Sequence, residues 1–108
     1  MTGRLFVYGT LRDPARQRAV AGRTFPARPA TLRGFRRVDP LGGYPYLLDD
    51  AGGIVDGLVL GEIDAASLRR LDCYEDEGRL YVRRAVTVAA DGVELACDVY
   101  VGAAIARG

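Results

Sequence analysis

The chain has 108 residues, 49% of them hydrophobic, and a formal net charge of +1. Those figures predict one folded domain over residues 1–108, and they supply no general pull toward nucleic acid or an anionic membrane. There is no His and no Lys, all 15 basic residues being Arg, so imidazole bases, Ser-His-Asp triads, His metal ligands and lysine Schiff bases are excluded, and carboxylates, Tyr and Cys are left as acid–base groups.

Arg4 to Tyr8 reads as a strand, with Leu5 and Val7 alternating with Phe6 and Tyr8, and Gly9 ends it. Asp13-Pro14 then marks a helix start, with Asp13 as N-cap and Pro14 at the first helical position. Tyr8 to Arg12 is therefore a tight strand-to-helix loop. Loops of this kind aim successive backbone N–H groups at one point and form anion sites, although a plain glycine turn reads the same way locally. The first helix is expected from Pro14 to Ala21, stopping at Gly22. Pro26 and Pro29 mark a loop, and Ala30–Leu32 and Phe35–Val38 read as short strands around Gly34. Arg33, Arg36 and Arg37 fall on an exposed strand face, where arginines serve solubility.

Pro40 to Leu48 is a turn-rich loop shaped by two prolines, two glycines and two tyrosines, and it leads into a short strand. Asp49 to Gly53 reads as a further turn. Ile54 to Ile63 is the longest strand candidate, with Gly57 and Gly61 as bulge positions. Asp64 caps a second helix that runs to Asp72 and frays through Cys73-Tyr74 into Glu75-Asp76-Glu77 before Gly78. Tyr81–Val88 and Val93–Val101 form a hairpin around Asp91-Gly92. The tail from Gly102 is expected to be loosely attached. Strand follows almost directly on Met1, which gives no sign of a signal peptide and points to the cytoplasm. Many short strands with glycine bends and two helices predict an α+β fold built on a small, curved sheet or barrel.

Chemistry concentrates at the corner after the second helix. Asp76 and Glu77 read as a solvated acidic turn. Glu75 lies four residues after Leu71, a spacing that turns it toward the core side, where a carboxylate gains a raised pKa and can act as a base. Cys73 and Cys97 do not form a C-x-x-C pair and read as small buried apolar side chains.

Three stretches in this order carry a family resemblance: Val7-Tyr8-Gly9-Thr10-Leu11, Gly43-Tyr44-Pro45-Tyr46-Leu47, and Leu71-Asp72-Cys73-Tyr74-Glu75 followed by Tyr81-Val82-Arg83. From Phe6 to about Val101 the chain resembles the gamma-glutamylcyclotransferase-like family, and most closely its short gamma-glutamylamine cyclotransferase-like members. The resemblance implies a small mixed β-barrel with flanking helices and a cyclisation that releases 5-oxoproline from a gamma-glutamyl amine or amide. It implies that Glu75 is the general acid/base and that the backbone amides of Tyr8, Gly9, Thr10 and Leu11 bind the substrate carboxylate, with Tyr81 in the pocket region. It implies a small-molecule substrate, no metal or organic cofactor, no nucleic-acid or membrane partner, and a monomer or homodimer. A non-catalytic binding module using the same pocket is the alternative. One departure stands out: Asp76-Glu77 intervene between Glu75 and Gly78, where the family pattern has Gly directly after the Glu. Glu77-Gly78 also matches that pair, so Glu77 is the second candidate for the base.

Overall fold

Alternating side chains along the first strand divide the hydrophobic residues between two cores. The computed structural model describes residues 3–41, 45–74 and 81–102. In β1 (Gly3–Val7) Phe6 points into the interior of the sheet, whereas Leu5 and Val7 face outward under the helices. The other strands are β2 (Ala27–Val38), β3 (Tyr46–Ile63), β4 (Tyr81–Ala90) and β5 (Val93–Gly102). They close into a ring in the order β1-β3-β2-β4-β5. Every pairing is antiparallel except that of β5 with β1, which is parallel and matches Leu5 with Asp98 and Phe6 with Val99. The fold is thus a small mixed α+β structure. Phe6, Leu32, Leu47, Val59, Val88 and Val99 fill the inside of the ring. Leu5, Val7, Leu11, Phe25, Leu60 and Leu71 form the second core, between β1 and the helices.

Local chemistry explains both helices. α1 (Pro14–Ala21) begins where Asp13 Oδ1 accepts the Ala15 N–H at 3.0 Å, and it ends where the Gly22 N–H reaches the Arg18 carbonyl at 2.9 Å. α2 (Ala65–Tyr74) is capped by Asp64, which accepts from the Ser67 N–H at 3.1 Å and the Ser67 hydroxyl at 2.6 Å. These two hydrogen bonds lower the Asp64 carboxyl to about 2. Arg70 of α2 donates to the Ala21 carbonyl at 2.9 Å and so ties the end of α1 to its neighbour.

The weak amphipathicity of α1 has a structural counterpart, since the side chains it buries are Gln17 and Ala21. Gln17 donates to the Leu11 carbonyl at 2.9 Å and accepts the Phe25 N–H at 3.2 Å. It therefore pins the segments on either side of α1. Gln17→Leu keeps the volume but strips two backbone groups of their partner, and each such loss costs on the order of 1–3 kcal/mol. A urea denaturation series is expected to show a loss of about 2–3 kcal/mol, larger than for substitutions at exposed Arg18.

Three sequence expectations change. β2 is one strand, not two, because Gly34 adopts φ 89° and carries the chain through a register shift instead of ending it. Pro29 lies inside this strand opposite Leu58, not in a loop. Asp49–Gly53 does not end a strand either, since β3 runs through it. The step from Arg33 to Phe35 on β2 faces the longer step from Ile54 to Asp49 on β3, so the turn-forming residues are absorbed as a bulge. Other expectations hold. The β1–β3 register shifts opposite the Gly61-Glu62 pair. Asp91 and Gly92 both have positive φ, as the tight two-residue hairpin turn requires. Among the described residues no helix is long and apolar enough to cross a membrane.

Candidate active site

The loop after β1 is assembled by buried anchors. Tyr8 is buried, and its hydroxyl donates to the Tyr100 carbonyl at 2.7 Å, which commits the ring to the core. Its carbonyl accepts from Arg37. Leu11 is buried in the second core. Between these anchors Thr10–Arg12 forms a single 3-10 turn, in which the Arg12 N–H bonds the Gly9 carbonyl and the Asp13 N–H bonds the Thr10 carbonyl, both at 3.1 Å. The amides of Thr10 and Leu11 precede the first of these bonds, so neither has an acceptor inside the turn. The sequence-predicted loop groups thus divide. The side chains of Tyr8 and Leu11 hold the loop, and the N–H groups of Thr10 and Leu11 meet no acceptor within the turn.

The end of α2 meets this loop. The hydroxyls of Thr10 and Tyr74 are 3.1 Å apart and hydrogen-bonded. Two residues earlier, Asp72 receives a forked pair of bonds from Arg83, Nε to Oδ1 at 3.1 Å and NH2 to Oδ2 at 3.3 Å. Asp72 also accepts the Tyr100 hydroxyl at 2.5 Å. Arg83 reaches Asp98 as well, at 3.3 Å. Partial burial opposes the Arg83 charge, but the hydrogen bonds and charges of Asp72 and Asp98 outweigh it and raise the guanidinium above its ordinary value. This network fastens the last turn of α2 to β4 and β5. Removing one partner of a buried ion pair costs about 3–5 kcal/mol. Asp72 and Arg83 are 25% and 31% exposed, so Asp72→Ala is expected to cost about 2–3 kcal/mol after solvent screening. Asp72→Asn, which still accepts from Tyr100, is expected to cost less in the same thermal-unfolding comparison.

Tyr81 opens β4, and its hydroxyl donates to the Pro45 carbonyl at 2.9 Å. Pro45 in turn stands beside Gly9, along the wall of an open cleft that also carries Thr10, Arg12, Arg16 and Arg37. Thr10, Tyr74 and Tyr81 therefore gather with the loop at one end of the strand ring. Glu75 and Glu77 lie outside the described residues, as do Gly43 and Tyr44; Tyr74 is the last described residue before Glu75. Three contributors carried no sequence signal for the contacts they make. Arg37 sits in an alternating strand that reads as solvated, yet it spans from Asp39 at 2.9 Å to the Tyr8 carbonyl. Gln17 and Asp72 act only through partners distant in the chain. Of the two cysteines, Cys97 is buried as expected, and desolvation pushes its thiol up to about 11. Cys73 is exposed, because α2 turns it away from the core. Among the described residues no cluster of His, Cys, Asp and Glu fits a metal ion.

The family profile described as gamma-glutamyl cyclotransferase, AIG2-like, matches residues 5–107. The chain belongs to this family. In sequence, the chain is 34% identical over 85 residues to Protein AIG2 C of Arabidopsis thaliana, covering 78% of this chain and 50% of that protein. It is 40% identical over 73 residues to AIG2-like protein C of the same plant, covering 67% of this chain and 42% of that protein. The chain thus spans about half the length of the curated relatives it matches. In structure, it superposes on an Arabidopsis thaliana protein solved in solution with a TM-score of 0.86 at 29% identity, over 96% of this chain and 64% of that one. An AIG2-like protein from Mus musculus aligns with a TM-score of 0.73 at 29% identity, over 94% and 78% of the two chains. A gamma-glutamyl cyclotransferase with a TM-score of 0.79 at 22% identity, over 94% and 67%, shares the fold.

Proposed function

We propose that this chain is a gamma-glutamyl cyclotransferase that closes the gamma-glutamyl group of an amine or amide into 5-oxoproline and frees the amine. The observation that carries the reading is the Thr10–Tyr74 hydrogen bond. It joins the loop that supplies amides for a carboxylate to the helix end that leads directly into Glu75. In the substrate the α-amine attacks the side-chain γ-carbonyl, forming the lactam C–N bond as the bond to the leaving amine breaks. The α-amine is an ammonium ion near neutral pH and is no nucleophile in that form. Glu75 takes its proton and returns one to the departing nitrogen, a general acid–base role that contributes on the order of 10²–10⁴-fold. The amides of Gly9 to Leu11 hold the α-carboxylate, which keeps the glutamyl chain folded so that attack is intramolecular. Tyr81, fixed through Pro45, lines the same region. No step calls on His or Lys, in keeping with their absence from the chain.

The test is to incubate the purified protein with a panel of gamma-glutamyl amides and quantify both products. Equal amounts of 5-oxoproline and free amine are expected from at least one member. A folded protein that binds panel members and releases no 5-oxoproline contradicts the reading and favours a binding module.

A further inference from the structure

A second cavity lies at the other end of the strand ring, where β1 begins. Its volume of about 670 Å³ is within the range of small-molecule sites, and it shares no residue with the cleft beside the Gly9–Thr10 loop. Part of its wall is apolar. Val59 and Cys97 are buried members of the inner core, and Val86 and Leu95 pack against that core half-buried. Burial pushes the Cys97 thiol up to about 11, so near neutral pH it is an uncharged part of the wall. Arg4, Arg28, Glu62 and Asp98 line the same space, and two of them are already engaged: Arg28 pairs with Asp91 at 3.6 Å, and Asp98 with Arg83 at 3.3 Å. Arg4 and Glu62 differ. Among the described residues neither forms an ion pair, although Arg4 falls opposite the Gly61-Glu62 bulge of the neighbouring strand. Glu62 is held in that bulge at φ 54°, a conformation that a side chain disfavours and that recurs where backbone is shaped for a ligand. Arg4 spends one nitrogen, Nη1, on the Ala96 carbonyl at 3.3 Å. That bond anchors the guanidinium to β5 and leaves its Nε and Nη2 side, a two-donor fork that matches a carboxylate.

We propose that this mouth of the ring is a second binding site, separate from the candidate active site, and that it takes a free α-amino acid with an apolar side chain. The carboxylate lies on the Nε–Nη2 edge of Arg4 and the ammonium on Glu62. The side chain rests against Val59, Val86, Leu95 and Cys97. The unengaged pair of opposite charges beside an apolar wall is what selects a zwitterion. An apolar carboxylate without an amine sets its anion near Glu62 with nothing to offset it, and an apolar amine without a carboxylate does the same with its cation near Arg4.

The experiment titrates the protein with L-phenylalanine and L-leucine and follows the backbone amides by NMR. Two relatives of the first ligand, each with a single charge, run beside it: L-phenylalaninamide, which lacks the carboxylate, and hydrocinnamate, which lacks the amine. Saturable shifts are expected with both amino acids at Ala27, Arg28, Glu62 and Ala96, which line the cavity. Each single-charge relative is expected to bind roughly 10-fold or more weakly, the loss of one charge-assisted contact. Glu62→Gln is expected to erase the advantage of L-phenylalanine over hydrocinnamate, and Arg4→Gln its advantage over L-phenylalaninamide. A merely structural role for either residue would weaken all the ligands alike. Melting curves first establish that the variants are folded, and Glu62→Gln carries the test on its own if the lost Ala96 contact unfolds Arg4→Gln. No saturable shift with either amino acid, shifts confined to the Gly9–Leu11 loop, equal binding of L-phenylalanine and its two relatives, or preferences that survive the substitutions overturn the proposal.

Discussion

Gly57→Ala is expected to destabilise the protein by about 3 kcal/mol, the upper end of what overpacking costs, and to lower its melting temperature by on the order of 10–20 °C. Gly57 lies on β3 between the inward-facing Val55 and Val59, opposite Ala30 of β2. The space a side chain would use there is already filled. An added Cβ falls 2.4 Å from the Val7 carbonyl oxygen and 2.8 Å from the tip of the Phe6 ring. A ring edge can rotate aside, but a backbone carbonyl in a paired strand cannot, so β1 must move away from β3. The effect reaches the site because Tyr8 and Gly9 follow Val7 directly. A shift of about 1 Å at reacting groups costs around 10²-fold in rate. Activity is therefore expected to fall further than the lost stability accounts for, when rates are measured well below the melting temperature. Gly52→Ala is the control: nothing lies within 4 Å of its added Cβ, and its stability is expected to stay within about 0.5 kcal/mol of wild type. Equal stability of the two variants in a denaturation series contradicts this account of the β1–β3 contact.

Gly57 also illustrates what the sequence conveyed and what it withheld. A glycine within a strand pattern signals either a bulge or a close approach, and the residues alone do not separate the two. Gly61 stands at a register shift, whereas Gly57 makes room for Phe6 and Val7. Features set by neighbours in the chain were legible. The Asp13-Pro14 start and Gly22 end of α1, the Asp64 cap and the Asp91-Gly92 turn are each decided within a few residues. Features set across the sheet were not. Pro29 and the Asp49–Gly53 segment carry strong turn chemistry, yet pairing with β3 and β2 overrides it. The site divides in the same way. The Tyr8-Gly9-Thr10-Leu11 loop was visible as a motif. The anchors that give it shape were not, because Gln17, Arg37 and Tyr100 reach it from other elements. Asp72 was visible only as a member of the Leu71-Asp72-Cys73-Tyr74-Glu75 stretch, and its bonds to Arg83 and Tyr100, which give it a structural role, were not legible there.

The measurement that bears most directly on the central claim is 5-oxoproline release by wild type, Glu75→Gln and Glu77→Gln, run side by side on one turned-over gamma-glutamyl substrate. The substitution keeps side-chain size and removes only the ability to carry a proton. Circular dichroism and melting curves first establish that all three are equally folded. Loss of on the order of 10²–10⁴-fold in kcat for Glu75→Gln is the predicted result, with Glu77→Gln within a few-fold of wild type. Full turnover by Glu75→Gln, or the large loss falling on Glu77→Gln instead, contradicts the assignment of Glu75 as the base.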